Sequence, residues 1–229
     1  NYNCSSEAQN IRQKIGEEGV GWVNYTAHGE VTEWSDPEFR ASQIDNMFNE
    51  GKYPVMIGNC CLSNKFDQTS FGESLVRANK KGALAYIGAS NSTYWDEDVY
   101  WSVGYRQEIS ASMDYDASNL GMYDRLFHTH NELIDAHYVS LGQIIAGGNF
   151  GVENSGSSRK SFYWEVYHLM GDPSLMPWLT QPETMQVTHS NVSQGMTTLQ
   201  VTSVPYAYVA LTDQLELVVA AFADVNGQT

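Results

Sequence analysis

Short apolar runs alternate with amphipathic stretches along the first part of the chain. Three runs are rich in β-branched and aromatic residues and predict buried strands, at 20–26, 54–59 and 83–88. A helical pattern precedes each run, at 7–17, 39–49 and 71–81. Because helix and strand alternate in this way, the pattern predicts an α/β fold in which helices cover a parallel sheet.

The rest of the chain predicts helices first and short strands afterwards. Helical patterns cover 97–112, 121–136, 138–146 and 161–170, a Gly/Ser-rich loop is expected at 147–160, and a rigid turn at 171–177. Alternating strands follow at 185–188, 197–204, 207–212 and 215–222. They predict the start of a β-sandwich with too few strands to close it, so we expect two domains, 1–180 and 181–229.

Composition and charge narrow the class of protein. The 229 residues are 42% hydrophobic, enough for a sizeable core, and the net charge of −15 makes nucleic acid an unsuitable partner and cationic substrates a suitable one. No apolar run is long enough for a transmembrane segment, and the first residues lack the pattern of a signal peptide. Both ends have the appearance of internal sequence, so we expect a fragment of a longer protein.

The cysteines and histidines do not indicate a disulfide framework or a zinc site. Cys4, Cys60 and Cys61 are too few, and the adjacent pair cannot form a disulfide without strain. There is no Cys-x-x-Cys motif, and His128, His130 and His137 do not share one helix face. We therefore predict no transition metal and no cofactor for catalysis.

Two of the predicted strands end beside reactive residues. The first run leads into His28-Gly29 and the second into Cys60-Cys61. The carboxyl ends of parallel strands meet at one edge of an α/β sheet, so we expect the imidazole and a thiol to share a crevice there. A histidine beside a thiol is the arrangement of a cysteine hydrolase, whereas a cysteine at a strand end without such a partner is more often a core residue.

Several further motifs surround these two residues in a fixed order. They are Asn24-Tyr-Thr-Ala-His28-Gly29, Gly58-Asn-Cys60-Cys61, Phe71-Gly-Glu73, Ala85-Tyr-Ile-Gly88, Tyr94-Trp95-Asp-Glu-Asp98, Tyr100-Trp-Ser-Val-Gly104 and Trp164-Glu-Val-Tyr167-His-Leu-Met-Gly171-Asp. The order resembles the catalytic domain of the gingipain family of cysteine peptidases, and its lysine-specific members most closely. The resemblance covers nearly the whole chain. It implies a caspase-like α/β/α sandwich without its N-terminal part, followed by the start of an immunoglobulin-like domain.

The resemblance also implies catalytic roles. Cys61 matches the family's nucleophile, with Cys60 as buried support, and His28 matches the general base and acid. The backbone amides of Gly29 and Cys61 are the candidates for an oxyanion hole. The family's orienting acid lies upstream of the His-Gly motif and is absent here, so we expect the isolated chain to be impaired or inactive.

Substrate selection is implied in the same way. Asp98 matches the carboxylate that selects lysine at P1, and four residues match other walls of that pocket: Thr26, Asn59, Tyr94 and Trp95. The sequence does not decide the geometry that separates lysine from arginine. Asp96, Glu97 and Asp98 could also stabilise the N-terminal turn of the following helix, which is compatible with a pocket role.

Some expectations rest on the family alone. Its members bind calcium or sodium, and Glu73 with the Phe66 carbonyl matches such a site loosely. The family also implies a secreted or cell-surface bacterial protein that cleaves protein or peptide substrates after lysine. Two alternatives stay open: a non-catalytic binding or adhesion module, and a maturation peptidase of the secretion pathway, whose pocket would lack the carboxylate.

Overall fold

A computed structural model describes residues 4–107, 120–127, 139–177 and 184–229. The described residues fall into two compact units, which meet in sequence between 177 and 184. The first unit carries all of the predicted site residues. Its helices and strands come in the following order: α1 (Cys4–Gln13), a π-helix (Lys14–Glu18), β1 (Trp22–Thr26), β2 (Gly29–Glu30), β3 (Glu33–Ser35), β4 (Glu38–Arg40), a 3₁₀ helix (Ala41–Asn46), β5 (Val55–Asn59), α2 (Phe71–Arg77), β6 (Ala85–Ala89), α3 (Trp95–Val103), α4 (Met122–Phe127), α5 (Leu141–Ser155), α6 (Lys160–Val166) and β7 (Tyr167–Met170).

The central sheet has the strand order β1-β5-β6-β7. β1, β5 and β6 are parallel, as predicted, and β7 adds an antiparallel strand at the edge. Every residue of β5 and β6 is buried, since aromatic and aliphatic clusters cover both faces of the sheet. On β5, for example, Ile57 packs toward the cluster that holds Trp101, and Met56 toward the cluster that holds Trp34. The predicted α/β fold is therefore confirmed, and the site residues follow the strands at the carboxyl edge of the sheet.

The helix predicted at 39–49 is wrong. Residues 38–40 form β4, which pairs with β3 in a small antiparallel sheet, and a 3₁₀ helix follows. Trp34 and Phe39 face each other across these strands and pack on Phe71, with ring centroids 5.1 to 5.9 Å apart. Burial of these large rings overrides the local helical pattern.

The flexible loop predicted at 147–160 is also wrong, because α5 continues to Ser155. Its glycines allow close helix packing: a Cβ on Gly148 would fall 2.4 Å from the Trp101 ring, and one on Gly151 would fall 2.3 Å from the Tyr100 carbonyl oxygen. The run therefore marks a crowded contact with α3, where only a glycine fits.

The helix predicted at 161–170 ends earlier and changes type. α6 ends at Val166, and the next four residues are β7, whose Tyr167 pairs with Ala89 of β6. This change brings two tyrosines, Tyr163 and Tyr167, to the carboxyl edge of the sheet. α3 ends at Val103, where Gly104 has a φ of 81°, so the helix predicted at 97–112 is too long; residues 108–112 lie outside the described residues. α4 covers the start of the helix predicted at 121–136, whose later residues 128–136 also lie outside the described residues.

The second unit consists of paired strands. β8 (Thr188–His189) pairs with β9 (Val201–Thr202), and β10 (Tyr208–Asp213) pairs with β11 (Glu216–Phe222). The last two strands confirm the patterns at 207–212 and 215–222, whereas only short parts of 185–188 and 197–204 are strands. The immunoglobulin-like assignment of this unit and the domain boundary at 180 stay predictions.

Candidate active site

The two reactive segments lie side by side at the carboxyl edge of the sheet. The last residue of β1, Thr26, pairs in register with the last residue of β5, Asn59. Gly29 then packs directly against the second segment: a Cβ at this position would fall 2.5 Å from Cys60 Sγ and 2.8 Å from the Cys61 carbonyl oxygen. The His-Gly turn and the Cys-Cys turn are therefore in contact, and no side chain larger than hydrogen fits between them.

The two neighbouring thiols have different surroundings. Cys60 is 1% exposed and its Sγ donates to Ser63 Oγ at 3.4 Å. Burial raises the pKa of the Cys60 thiol to about 12, which keeps it protonated at neutral pH. Cys61 is half-buried, and its Sγ accepts a hydrogen bond from the Thr93 amide at 3.2 Å. Leu62, the next residue, has a φ of 60°, which turns the chain sharply after Cys61.

His28 lies on the open side of this edge. Its side chain is exposed, and its ring makes an edge contact with Trp95 at a centroid distance of 5.5 Å. Its carbonyl oxygen accepts from the Tyr25 hydroxyl at 2.5 Å and from the Ser35 amide at 3.0 Å, so the backbone of the turn is held in place. Among the residues that the structure describes, no carboxylate pairs with the imidazole.

Asp98 lies on the first turn of α3 with its side chain in the interior. It is 6% exposed, and Thr93 Oγ1 donates to its Oδ2 at 2.7 Å. The hydroxyls of Tyr163 and Tyr167 each lie 2.8 Å from its Oδ1. Burial raises the pKa of Asp98 to about 6, although hydrogen bonds from the three hydroxyls lower it. Asp98 therefore lies in the N-terminal turn of a helix and is also a buried carboxylate, two features that are compatible, as the sequence indicates.

Asn59 is buried between the sheet and α3. Its Nδ2 donates to the Asp98 carbonyl oxygen at 3.0 Å and to Ser102 Oγ at 2.6 Å, and its Oδ1 accepts from the Tyr167 hydroxyl. The side chain therefore fixes the end of β5 to the first turn of α3, and with it the distance between Cys61 and Asp98.

The other wall residues from the resemblance are on the surface. Tyr94 is 43% exposed, Trp95 is 59% exposed and Thr26 is exposed. Behind Tyr94, the guanidinium of Arg159 lies 4.0 Å from the ring centroid and pairs with the buried Glu97 at 3.1 Å. The guanidinium therefore packs on a face of the Tyr94 ring and helps to hold it in place.

Sequence reasoning missed four contributors to this site. Tyr163 and Tyr167 are more than sixty residues from Asp98 in sequence, and nothing local indicates that they meet it. Arg159 lies in the segment 147–160, for which the sequence predicts a flexible loop. Thr93 stands directly before the Tyr-Trp motif, and its position there was the one available signal.

The predicted calcium or sodium site stays a prediction. The Glu73 carboxylate is paired with Arg77 at 2.6 Å, and the Phe66 ring packs on His168 at 4.6 Å. Within the described ranges, no group of three or more His, Cys, Asp or Glu side chains could hold a metal. The three histidines considered for zinc lie outside the described residues.

The buried Asp98 makes a testable contribution to stability. In the unfolded chain its carboxyl has the ordinary pKa of 3.8, so between about pH 4 and 6 the unfolded state releases a proton that the folded state keeps. The free energy of unfolding is therefore expected to fall as pH rises through this window. The expected size is about 3 kcal/mol relative to Asp98→Asn.

Urea unfolding of both proteins between pH 4 and 6.5 measures this difference. Asp96→Asn, a change at an exposed residue of the same helix turn, is the matched control and should stay parallel to the unchanged protein. If the free energy of unfolding of Asp98→Asn changes with pH in the same way as that of the unchanged protein, the Asp98 carboxyl is not desolvated in the folded state.

Sequence comparisons relate the chain to known proteins. The sequence model of Peptidase family C25 matches residues 2–178. Lys-gingipain of Porphyromonas gingivalis is 35% identical over 218 residues, which are 91% of this chain and 12% of that protein. Gingipain R2 of the same organism is 25% identical over 190 residues, 80% of this chain and 23% of that protein. The chain thus spans a small part of the curated relatives it matches.

Solved structures confirm the expected α/β sandwich of the caspase-like type. A protease structure that is 33% identical has a TM-score of 0.83 and covers 94% of this chain and 48% of that one. The crystal structure of the Arg-specific cysteine proteinase gingipain R is 24% identical, with a TM-score of 0.79 over 96% of this chain and 48% of that one, a likeness in fold. In the described parts of the chain, no helix is long and apolar enough to cross a membrane.

Proposed function

Because the chain belongs to peptidase family C25, we propose that it carries the catalytic centre of a cysteine endopeptidase that cleaves protein or peptide substrates after lysine. One observation carries the proposal: the segment 93–98 brings three groups together. It contacts the half-buried thiol of Cys61 and the exposed imidazole of His28, and it contains the buried carboxylate of Asp98. The cysteine, histidine and aspartate supply the nucleophile, the base and the cation selector. We also propose that the protein is secreted or on the cell surface, as the family resemblance implies.

The proposed reaction has two halves. Cys61 Sγ attacks the scissile carbonyl carbon while His28 accepts the thiol proton. His28 then gives this proton to the leaving amine, the C–N bond breaks, and a thioester remains on Cys61. A water molecule, deprotonated by His28, attacks the thioester and releases the new carboxyl end and the thiol.

The backbone around Gly29 supports an oxyanion hole. The Ser35 amide donates to the His28 carbonyl, and Glu30 pairs with Glu33. Pairs alternate in an antiparallel ladder, so Gly29, which lies between His28 and Glu30, takes a non-hydrogen-bonded position with its N–H directed away from β3. This N–H and that of Cys61 are the proposed donors to the oxyanion.

The proposed lysine selector is Asp98. A buried carboxylate favours a cationic P1 side chain and leaves a neutral one with an unpaired charge opposite it. Lys-gingipain is named for lysine, and its identity to this chain exceeds that of Gingipain R2. The buried carboxylate also favours this activity over a maturation peptidase, whose pocket would lack it.

Labelling with lysyl and arginyl chloromethyl ketones tests the proposal. We expect the lysyl reagent to alkylate Cys61 in the protein as its host produces it, with the adduct mapped by mass spectrometry and absent in His28→Ala. Iodoacetamide, which needs no pocket, is the control for a free thiol. If iodoacetamide labels Cys61 and neither ketone does, the peptidase proposal fails and a binding module is favoured. A preference for the arginyl reagent would contradict the lysine pocket alone.

A further inference from the structure

Three polar atoms of Thr93 lie close to the Cys61 sulfur. Its amide nitrogen lies 3.2 Å from Sγ, its Oγ1 lies 3.8 Å away and its carbonyl oxygen 3.9 Å away. The same hydroxyl donates to Asp98 Oδ2 at 2.7 Å. One residue therefore contacts both the proposed nucleophile and the proposed selector. Because Thr93 Oγ1 lies 3.8 Å from the sulfur and 2.7 Å from Asp98 Oδ2, the sulfur and the carboxylate are close to each other.

The hydroxyl has a single proton to donate. While this proton is held by Asp98, the oxygen presents only lone pairs to the sulfur. It can then accept from the Cys61 thiol, and it cannot donate to a thiolate. The state with an ionised Asp98 and no bound cation thus favours the protonated thiol at this contact.

The two oxygens of the Asp98 carboxylate have different partners. Oδ1 faces the hydroxyls of Tyr163 and Tyr167, whereas Oδ2 faces Thr93. A lysine ammonium carries three donors, and when it pairs with Oδ2 it competes with the Thr93 hydroxyl for that oxygen. The released hydroxyl is then free to turn its proton toward Sγ.

We propose that Thr93 is a positioning residue that couples the pocket to the nucleophile, so that a cation bound at Asp98 frees the Thr93 hydroxyl to stabilise the Cys61 thiolate. The inference rests on the proposed function, because it needs Asp98 as the cation site and Cys61 as the reactive thiol. Its consequence is that an empty pocket holds the thiol in a less reactive state, and that the correct P1 side chain raises its reactivity.

Alkylation of Cys61 by iodoacetamide measures this coupling without peptide cleavage. The probe is n-butylammonium, which carries the lysine amine on a comparable alkyl chain, and n-butanol is its neutral control. We expect n-butylammonium to accelerate alkylation about threefold to tenfold at a pH near neutrality, and n-butanol to have no effect. Neutralisation of the Asp98 charge contributes to this acceleration by itself, so variants are needed to isolate the hydroxyl.

Thr93→Val and Thr93→Ser separate the two contributions. Valine keeps the shape and the backbone amide and removes the hydroxyl, so more than half of the acceleration should be lost; serine keeps the hydroxyl and should keep the acceleration. Thermal unfolding checks that both variants are folded, and the serine variant carries the test if the valine variant is not. Acceleration that is undiminished in Thr93→Val, or lost in Thr93→Ser, overturns the coupling.

Protection against the lysyl chloromethyl ketone distinguishes the possible failures. If n-butylammonium protects Cys61 from the ketone without accelerating iodoacetamide, the pocket exists and only the coupling is overturned. If it neither protects nor accelerates, the lysine pocket fails, and the coupling fails with it. If the protein cleaves lysyl peptides but n-butylammonium does not accelerate alkylation of Cys61, the proposed function holds and the role of Thr93 is excluded.

Discussion

Replacing Cys61 with serine, in the protein as its host produces it, is expected to lower kcat/KM for lysyl peptides by a factor of about 10⁴ or more. The hydroxyl is close in size to the thiol and is a far weaker nucleophile when its base is tuned to a thiol. Chromogenic lysyl peptides measure the loss, and circular dichroism confirms the fold. The matched control is Cys60→Ser, which should stay within about tenfold of the unchanged protein.

Cys60→Ser is an informative control because the two thiols are adjacent in sequence and differ in burial. The Cys60 thiol is buried and hydrogen-bonded to Ser63, so it cannot reach a substrate carbonyl. Its raised pKa also keeps it in the unreactive protonated form. Cys61 is half-buried at the open edge. A larger loss in the Cys60 variant than in the Cys61 variant would reverse the assignment of the nucleophile.

The same pair of variants addresses the binding-module alternative. A module that only binds needs neither thiol, so both substitutions would leave its function unchanged. The contact between the His-Gly and Cys-Cys turns argues for chemistry here, because Gly29 lets the segments that carry His28 and Cys61 pack directly against each other, which a binding surface does not need.

The strands of the sheet could be predicted because their signal is local. Residues 55–59 and 85–89 are buried on both faces, and they appear in the sequence as continuous apolar runs with turn residues at their ends. From there, the rule that parallel strands present chemistry at their carboxyl ends was enough to bring His28 and Cys61 to one edge.

The errors come from residues whose conformation is set by distant partners. Phe39 stands in a helical pattern, yet it pairs with Trp34 across a hairpin. Gly148 resembles a loop residue, yet it sits under the Trp101 ring in a helix. Such contacts depend on where another element lies, which the local sequence does not contain.

The surroundings of Asp98 show the same limit at the candidate site. Its carboxylate could be identified from the Tyr-Trp-Asp-Glu-Asp motif by resemblance. Its burial, which raises its pKa, could not be predicted, because the interior around it is built by distant segments such as the one where α6 ends and β7 begins. Tyr163 and Tyr167 come from that segment, and their hydrogen bonds to the carboxylate lower the pKa in part. The motif thus indicated the charge, and the tertiary structure determined the protonation.

Replacing Asp98 with asparagine is expected to lower kcat/KM for lysyl substrates by a factor of about 10² to 10³. The amide keeps the shape and one acceptor oxygen, but it removes the charge that pairs with the ammonium. A norleucyl substrate, which has no cation, should lose little or gain. The control is Asp96→Asn, an exposed change on the same helix turn, which should leave both substrates unaffected.

The pH dependence of selectivity follows from the same carboxyl. As pH falls through about 6, the free protein protonates Asp98 and loses the charge that selects the cation. The ratio of kcat/KM for the lysyl over the norleucyl substrate should therefore fall at acid pH, and this fall should vanish in Asp98→Asn. The ratio is used because any effect of pH that is common to the two substrates cancels in it. A ratio that does not depend on pH, or one that falls equally in the asparagine variant, would show that another group selects lysine.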